Sequence, residues 1–183
     1  MDIMLIKDNY FLNDIVEIHL NTFQNFFLSE LGKGFLKTLY TGYIEDEESG
    51  ILIAKENDKA IGFIAFSNNY SDFFKNLIKN KLLRFGFFSC VAIIKNPKII
   101  KKLLGAFNKS NEVKKDKAYV ELASIGVSPD YKNQGVGSLL IKKLIEITDF
   151  KKYAFISLET DAINNENVNR FYKKNGFILY KKY

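Results

Sequence analysis

Cysteine, proline, histidine and tryptophan are scarce in this chain of 183 residues. It contains one Cys, two Pro, one His and no Trp. A single Cys cannot form a disulfide within the chain, and two Pro exclude collagen-like and proline-rich sequences. One Cys and one His do not supply the ligand set of a structural zinc site. The composition therefore favours a reducing, cytoplasmic location and predicts no bound metal.

Long apolar runs are also missing. The longest candidate, residues 85–94, is interrupted by Gly86, Ser89 and Cys90, whereas a membrane-spanning helix needs about 18 consecutive apolar residues. The N-terminal residues are too acidic and too short in apolar run to resemble a signal peptide. We therefore expect contact with a membrane to be peripheral at most.

Aromatic residues are abundant, by contrast, with 17 Phe and 10 Tyr in a chain that is 47% hydrophobic. This apolar content excludes disorder as a description of the whole chain. The length is that of one ordinary domain. We therefore expect a single domain over residues 1–183 with a substantial core.

The charge is unevenly distributed along the chain, whose net charge is +6. Residues 1–67 carry 5 basic and 11 acidic side chains, whereas residues 68–115 carry 11 basic and 2 acidic ones, a net charge of +9. A basic section favours anionic partners such as phosphates, nucleic acid or a membrane surface. Solvated lysine faces on amphipathic helices explain the same pattern, and both interpretations remain open.

The hydrophobic periodicity predicts alternating strands and helices. In chain order we expect strand 3–7, helix 11–23, a helix from about 29 to 45, strands 51–56 and 60–67 joined as a hairpin, helical sections around 73–83 and after 97, strand 119–127, helix 139–148, strand 154–160, helix 165–175 and strand 177–180. Strands separated by helices imply an α/β fold with a mixed, partly parallel sheet. Residues 68–115 form a helical insertion between strands.

A glycine-containing turn precedes the predicted helix 139–148. Gly135 and Gly137 leave the backbone uncovered, and N–H groups at the start of a helix favour a negative charge. The turn lacks the G-K-[ST] of a P-loop and the third glycine of a dinucleotide-binding fingerprint. On these residues alone, the segment from Asn133 to Ser138 is either a phosphate cradle or a simple turn.

Two segments together resemble the GNAT (Gcn5-related) N-acetyltransferase family. Residues 127–140, VSPDYKNQGVGSLL, are similar to the family's acetyl-CoA motif, Q/R-x-x-G-x-G/A after a strand. Residues 165–177, NENVNRFYKKNGF, resemble its N-x-x-A-x-x-F-Y-x-x-x-G-F. Lys132 replaces the usual Gln or Arg, and Val168 the usual Ala. The family normally ends in a strand hairpin, but only one predicted strand follows Gly176.

The resemblance implies a GNAT-like central sheet that binds acetyl-CoA as cosubstrate between splayed parallel strands. Backbone groups of Ile125 and Val127 would hold the pantetheine arm, and Asn165 would hydrogen-bond it. The pyrophosphate would lie on the turn; its residues are Lys132, Asn133, Gln134, Gly135, Val136, Gly137 and Ser138. The competing interpretation of Ile125 and Val127 is that they belong to a core strand. The competing interpretation of Asn165 is that it is a helix N-cap.

The resemblance also implies the catalytic groups. The N–H of Ile125 would polarise the thioester carbonyl, and Tyr172 would protonate the departing thiolate. Glu121, eleven residues before Lys132, stands at the spacing of the catalytic glutamate in histone-type members and would accept the amine proton. We expect Glu121 to share a strand face with Ala123 and Ile125. A core aromatic is the alternative for Tyr172, and an ordinary ion pair the alternative for Glu121.

Other side chains are weaker candidates for the chemistry. We expect His19 to belong to a helix stripe and Cys90 to be buried, so that transfer is direct and involves no acyl-enzyme. The resemblance implies that the acceptor wall is formed by the first two helices and their loop, here Phe26, Phe27 and Tyr43, together with strand ends.

The expected acceptor is a primary amine of a small molecule, such as an amino sugar or its nucleotide-linked form. A protein or peptide amine is the alternative acceptor, and a non-catalytic CoA-binding module is the alternative function. No motif predicts specific nucleic-acid binding. The basic insertion is compatible with a homodimer interface or an acidic membrane surface.

Overall fold

The computed structural model describes residues 1–24, 26–95, 97, 118–161 and 165–182. Its sheet has the strand order β1-β2-β3-β4-β5, and only the last pair is parallel. The strands are β1 (Asp2–Ile6), β2 (Ser49–Glu56), β3 (Lys59–Ser67), β4 (Tyr119–Val127) and β5 (Phe155–Ser157). The helices are α1 (Leu12–Thr22), α2 (Phe27–Glu30), α3 (Lys33–Glu45), α4 (Tyr70–Lys95), α5 (Val136–Ile147) and α6 (Glu166–Lys174).

The hairpin between β2 and β3 forms at the predicted turn. Asn57 and Asp58 have φ angles of 46° and 58°, which are the left-handed values that a two-residue type I′ turn requires. This turn matches the right-handed twist of paired strands. The two strands are almost entirely buried and form the centre of the sheet.

Each face of the sheet has its own core, because side chains alternate along a strand. On the first face, α1, α3 and α4 pack against Ile51, Ile53, Phe63 and Ala65. On the second face, α5 packs against Leu52, Ala54, Ile64 and Leu122, among others. The predicted mixed α/β architecture is confirmed.

Two helical predictions differ from the structure in their extent. The predicted helix starting near Ser29 is interrupted at Gly32, whose φ of 86° is left-handed, so that α2 and α3 are separate. The first part of the insertion is one helix of 26 residues, α4. The helix expected after Pro97 lies outside the described residues.

The last predicted strand, 177–180, is wrong. These residues adopt no strand, and Ile178 and Tyr180 are 87% and 91% exposed. An apolar extended stretch becomes a strand only where a sheet edge pairs with it and a core receives its side chains. β5 is likewise shorter than the predicted strand 154–160, since it ends at Ser157.

Candidate active site

The glycine turn joins β4 to α5. A 3₁₀ turn, Pro129–Tyr131, follows the strand, and the backbone then takes left-handed φ angles of 62° at Asn133 and 82° at Gly135 before α5 begins. The first N–H groups of a helix have no carbonyl partner within it. Together with the helix dipole, they make the start of α5 a suitable place for a phosphate.

The two glycines of the turn have different structural reasons. A Cβ added at Gly135 would meet no atom within 4 Å, so the surface above this residue is open to a ligand. A Cβ at Gly137 would lie 3.0 Å from Cζ of Phe171 and 3.7 Å from Cγ2 of Val127. Gly137 therefore allows α5, α6 and the end of β4 to approach closely, while Gly135 supplies the turn.

The polar side chains of the turn have different surroundings. Lys132, Asn133 and Gln134 are exposed, and Ser138 is half-buried. The side-chain amide of Gln134 donates to the carbonyl of Asp130 at 3.0 Å and so stabilises the turn itself. A phosphate at the start of α5 would be held by backbone N–H groups, with the cation of Lys132 carried by the same turn.

β4 and β5 separate just where the catalytic groups are expected. β4 pairs with β5 only over Tyr119–Glu121, but with β3 as far as Val127. Beyond Glu121, the edge of β4 that faces away from β3 has no partner strand among the described residues; we call this edge the splay. It ends beside the glycine turn.

The hydrogen-bond pattern determines which groups face the splay. The N–H of Ser128 donates to the carbonyl of Ile61 at 2.8 Å. In an antiparallel ladder, such pairs alternate with pairs that share no hydrogen bond. Val127, opposite Gly62, and Ile125, opposite Ile64, are therefore in positions not bonded to β3. Their N–H and C=O groups point to the splay, where the carbonyl of Val127 already accepts a hydrogen bond from the Thr22 hydroxyl at 3.3 Å.

The side chains of Ile125 and Glu121 lie on opposite faces, contrary to the sequence expectation. Ile125 packs against the second core, whereas Glu121 affects the ionisation of Tyr43 and Tyr70 beneath the first face. The register with β3 shifts by one residue at Ala123, which is exposed. This irregularity resembles a β-bulge, which reverses the alternation of side chains beyond it.

Glu121 lies in an environment rich in phenol groups. It is 8% exposed and pairs in register with Ser67 of β3 and Ser157 of β5. Burial raises the pKa of Tyr43 and Tyr70 well above the usual value, and the negative charge of Glu121 raises both further. Both phenols are therefore neutral at physiological pH.

Tyr172 lies on α6, next to the residue that packs on Gly137. Its ring contacts Phe171 and Phe177 at centroid distances of 5.3 and 5.7 Å. Burial raises the pKa of Tyr172 to about 12. The phenol therefore keeps its proton throughout the physiological range, as a proton donor must before the reaction.

Asn165 precedes α6 but does not cap it through its side chain. Its amide donates to Oγ1 of Thr160 at 2.7 Å and to the carbonyl of Asp161 at 3.2 Å. These bonds tie the start of α6 to the chain that leaves β5. The Asn165 side chain therefore does not act as a helix N-cap.

His19 and Cys90 were weaker candidates. Nδ1 of His19 lies 2.6 Å from the Tyr40 hydroxyl in the first core, and burial lowers the pKa of the imidazole to about 4. Cys90 is exposed on α4, so its expected burial is wrong. Among the described residues, no three His, Cys, Asp or Glu side chains come together as a metal site requires.

The expected aromatic acceptor wall is only partly assembled. Phe26 and Phe27 contact each other at 5.4 Å, and Phe26 is 45% exposed. Tyr43 instead packs on Phe73 of α4 in the core, at 4.2 Å. Tyr70, at the start of α4, was not identified from the sequence, since nothing local distinguishes it from the other nine tyrosines.

The GNAT acetyltransferase family matches residues 12–177 of this chain. Because this covers most of the sequence, the chain belongs to that family. It is an acetyl-CoA-dependent acetyltransferase, and its class is confirmed by the family match rather than by any one neighbour. No curated protein matches the sequence.

Solved structures show the same fold at low sequence identity. Aminoglycoside N-acetyltransferase AAC(6′)-Iy in complex with CoA is 15% identical, with a TM-score of 0.63 over 99% of this chain and 93% of that one. The AAC(6′)-IG enzyme from Acinetobacter haemolyticus is 13% identical, with a TM-score of 0.65 over 100% and 94%. Ribosomal-protein-alanine N-acetyltransferase from Brucella melitensis is 12% identical, with a TM-score of 0.56 over 100% and 95%.

The residues of this chain fit acetyl-CoA, which as cosubstrate supplies the activated acetyl group. The surface above Gly135 is open, the start of α5 offers N–H groups to a pyrophosphate, and Ile125 and Val127 direct backbone groups to the splay. A polar chain that lies along an exposed strand edge can pair with such groups as a further strand would.

Proposed function

We propose that this chain transfers the acetyl group of acetyl-CoA directly to a primary amine of a small molecule, with an amino sugar or a nucleotide-linked amino sugar as the preferred class. The observation that carries this proposal is the continuity of the splay with the glycine turn. Backbone donors for a carbonyl and for phosphates follow one another on a single stretch of chain, from Ile125 to Ser138.

The acidic surroundings of the splay support an amine acceptor. Glu121 and Glu159 both raise the pKa of Tyr70, so both carboxylates lie near its phenol. A protonated amine is attracted to such a place. Glu121 takes one proton from the ammonium group through a water molecule, and the neutral nitrogen then attacks the acetyl carbon; the second proton that the nitrogen loses as the amide forms passes to solvent.

The remaining groups act on the thioester. The Ile125 N–H stabilises the negative charge that develops on the carbonyl oxygen. As the carbon–sulfur bond breaks, Tyr172 donates its proton to the sulfur and regains one from solvent. Lys132 and the backbone from Asn133 to Ser138 bind the pyrophosphate, and Asn165 binds the pantetheine arm.

The test is calorimetric titration of the full chain with acetyl-CoA. We expect Gly135→Glu to abolish binding, because it places bulk and negative charge over the phosphate cradle. Gly135→Gln adds the bulk without the charge and should weaken binding less. Gly32→Glu is the matched control, because Gly32 also has a left-handed φ before a helix and open space around its Cβ position. Retained micromolar affinity in Gly135→Glu would refute the assignment.

The acceptor is then sought by measuring thiol release with amino sugars, polyamines and peptides. Turnover with an amino sugar at a kcat/KM well above that with peptides is the expected result. A preference for peptides would replace the small-molecule acceptor by a protein amine. Tight binding of acetyl-CoA with an unchanged thioester across all amines would indicate a non-catalytic CoA-binding module.

A further inference from the structure

A series of buried polar side chains lies beneath the splay. The Tyr40 side chain, on α3, is 1% exposed, and its hydroxyl is 2.6 Å from Nδ1 of His19 on α1, which is 3% exposed. The Tyr40 ring packs edge-on against Phe63 of β3 at 5.2 Å. Two helices and the sheet thus meet at one phenol.

The register carries this contact across to β4. Ser124 is paired with Ala65, and Gly126 with Phe63. Paired residues of adjacent strands point to the same face, so Ser124 is directed to the first face, where Ala65, Phe63 and Tyr40 lie. The Ser124 hydroxyl lies close enough to the phenol to counteract the rise in its pKa that burial causes.

A second helix-to-strand contact lies on the other side of Ile125. The hydroxyl of Thr22, at the end of α1, donates to the carbonyl of Val127 at 3.3 Å. β4 therefore contacts α3 through the Ser124 side chain, which lies beside Tyr40, and α1 through the carbonyl of Val127. Between these points lies Ile125, whose N–H points to the splay and which β5 does not support.

This stretch needs such support. It follows the irregularity at Ala123 and is paired on one edge only. A strand bonded on one edge moves more easily than one bonded on both, whereas an oxyanion donor works only when it is held in place before the reaction. The series of polar side chains supplies a fixed point where the sheet lacks one.

We propose that Tyr40 is a positioning residue: together with His19 and Ser124 it holds β4 at the bulge, so that the Ile125 N–H is directed at the acetyl carbonyl. This inference rests on the proposed function. It assigns a role to three polar side chains that the proposed chemistry does not otherwise use, none of which touches the cosubstrate.

Nε2 of His19 agrees with this role. It has no hydrogen-bond partner among the described residues, and leaving a buried polar atom without a partner is unfavourable. A plain apolar side chain at this position would avoid that penalty. The hydrogen bond that its other nitrogen makes with Tyr40 is the contact that the imidazole provides here and an apolar side chain would not.

The test compares Tyr40→Phe and Ser124→Ala with the wild type. Both variants remove only a hydroxyl and leave the ring or the backbone in place. Tyr153→Phe is the matched control, because Tyr153 is also buried, in the second core, and its hydroxyl bonds Glu48 instead. We expect both test variants to lower kcat for thiol release about tenfold, with less than a twofold change in KM for acetyl-CoA.

Two further readouts separate positioning from a loss of stability. In the double variant the effects should not add, because both changes break one connection. The preference for binding acetyl-CoA over CoA should fall in both variants, since only the acetyl carbonyl meets the Ile125 N–H. Tyr153→Phe should change neither kcat nor this preference. Wild-type kcat in Tyr40→Phe, or additive effects, would overturn the proposal.

Hydrogen exchange tests the same contact without any ligand. The Ser124 and Gly126 amides face β3 and should be protected in the wild type. Tyr40→Phe should accelerate their exchange, and Tyr153→Phe should not. Unchanged exchange would overturn the positioning role even if acetyl-CoA binds. If Tyr40→Phe accelerates exchange but the protein binds no acetyl-CoA, the contact with β4 is supported and the proposed function is refuted instead.

Discussion

Tyr172 combines a half-buried ring with a proton that it does not lose at neutral pH. Its two aromatic neighbours would pack equally well against a Phe. Packing alone therefore does not require the hydroxyl of Tyr172, whereas proton donation does. The neighbouring Phe171 makes the close contact with Gly137. A substitution at residue 172 can therefore remove the acidic hydroxyl and keep the aromatic ring.

Tyr172→Phe is predicted to lower kcat by about 10²-fold, the lower end of what a general acid contributes. The KM for acetyl-CoA should change little, since the ring remains in place. Steady-state thiol release checks this. Equal turnover in the two proteins would show that the thiolate receives its proton from another group.

His19 makes the stability of the protein depend on pH. The imidazole has a pKa of about 4 in the folded chain, against 6.5 for an unperturbed one, because burial disfavours its charged form. Between these values the unfolded chain binds more protons than the folded one. This stability is fully present above pH 6.5 and is lost as the pH falls towards 4.

We predict that His19 accounts for a loss of about 2 kcal/mol in the free energy of unfolding between pH 7 and pH 4.5. Urea unfolding at both pH values measures it. His19→Asn keeps a hydrogen-bonding side chain beside Tyr40 but cannot titrate, so its loss should be smaller by that amount. An identical loss in the variant would contradict the assignment to His19.

At the scale of elements, the approach of α5 to α6 depends on one missing side chain. The phosphate cradle begins α5, and Tyr172 lies on α6. Gly137 brings these helices together, since an added Cβ would press on Phe171 at 3.0 Å. In the proposed mechanism, the packing of these two helices couples phosphate binding at α5 to proton donation by Tyr172.

Gly137→Ala is predicted to lower the free energy of unfolding by about 1 kcal/mol, as overpacking typically does, and to weaken acetyl-CoA binding. Gly86→Ala is the control: its Cβ would meet nothing in the exposed part of α4, and Ala favours a helix over Gly by about 1 kcal/mol. Unfolding and calorimetry on both variants check this. A stabilising Gly137→Ala would refute the close packing.

Elements with a strong local pattern were predictable. The limits of β4, Tyr119–Val127, are those expected from the sequence, and the turn at Asn57 and Asp58 follows from residues that tolerate left-handed φ angles. The strand over 177–180 was not predictable, because strand formation depends on a partner edge far away in sequence. The bulge at Ala123 is equally invisible in a local pattern, and it reversed the expected face of Ile125.

At the scale of the whole molecule, the basic section, residues 68–115, has no assigned role. Of the cations on α4, Lys81 is bonded to Glu45 of α3 at 2.6 Å. Leu83, Phe87 and Ile94 are exposed on the same helix. Within the described part of the chain, no helix is both long and apolar enough to cross a membrane.

We predict that any binding of duplex DNA by the full chain is electrostatic and independent of base sequence. The affinity should fall linearly with salt concentration on logarithmic axes and be negligible near 0.2 M salt, as expected of phosphate contacts alone. Fluorescence anisotropy with two unrelated duplexes measures this. A preference for one duplex that persists at that salt concentration would instead establish specific recognition.

The sequence alone determined the mixed α/β class, the glycine turn and the family resemblance, because these depend on neighbouring residues and on backbone conformations that few residue types adopt. The tertiary structure decided which groups meet. The direction of the Ile125 N–H follows from pairing with β3, the surroundings of Glu121 from α3 and α4, and the contact of Tyr40 with His19 and Ser124 from three separate elements. Such contacts arise from packing between distant segments, and no local periodicity records them.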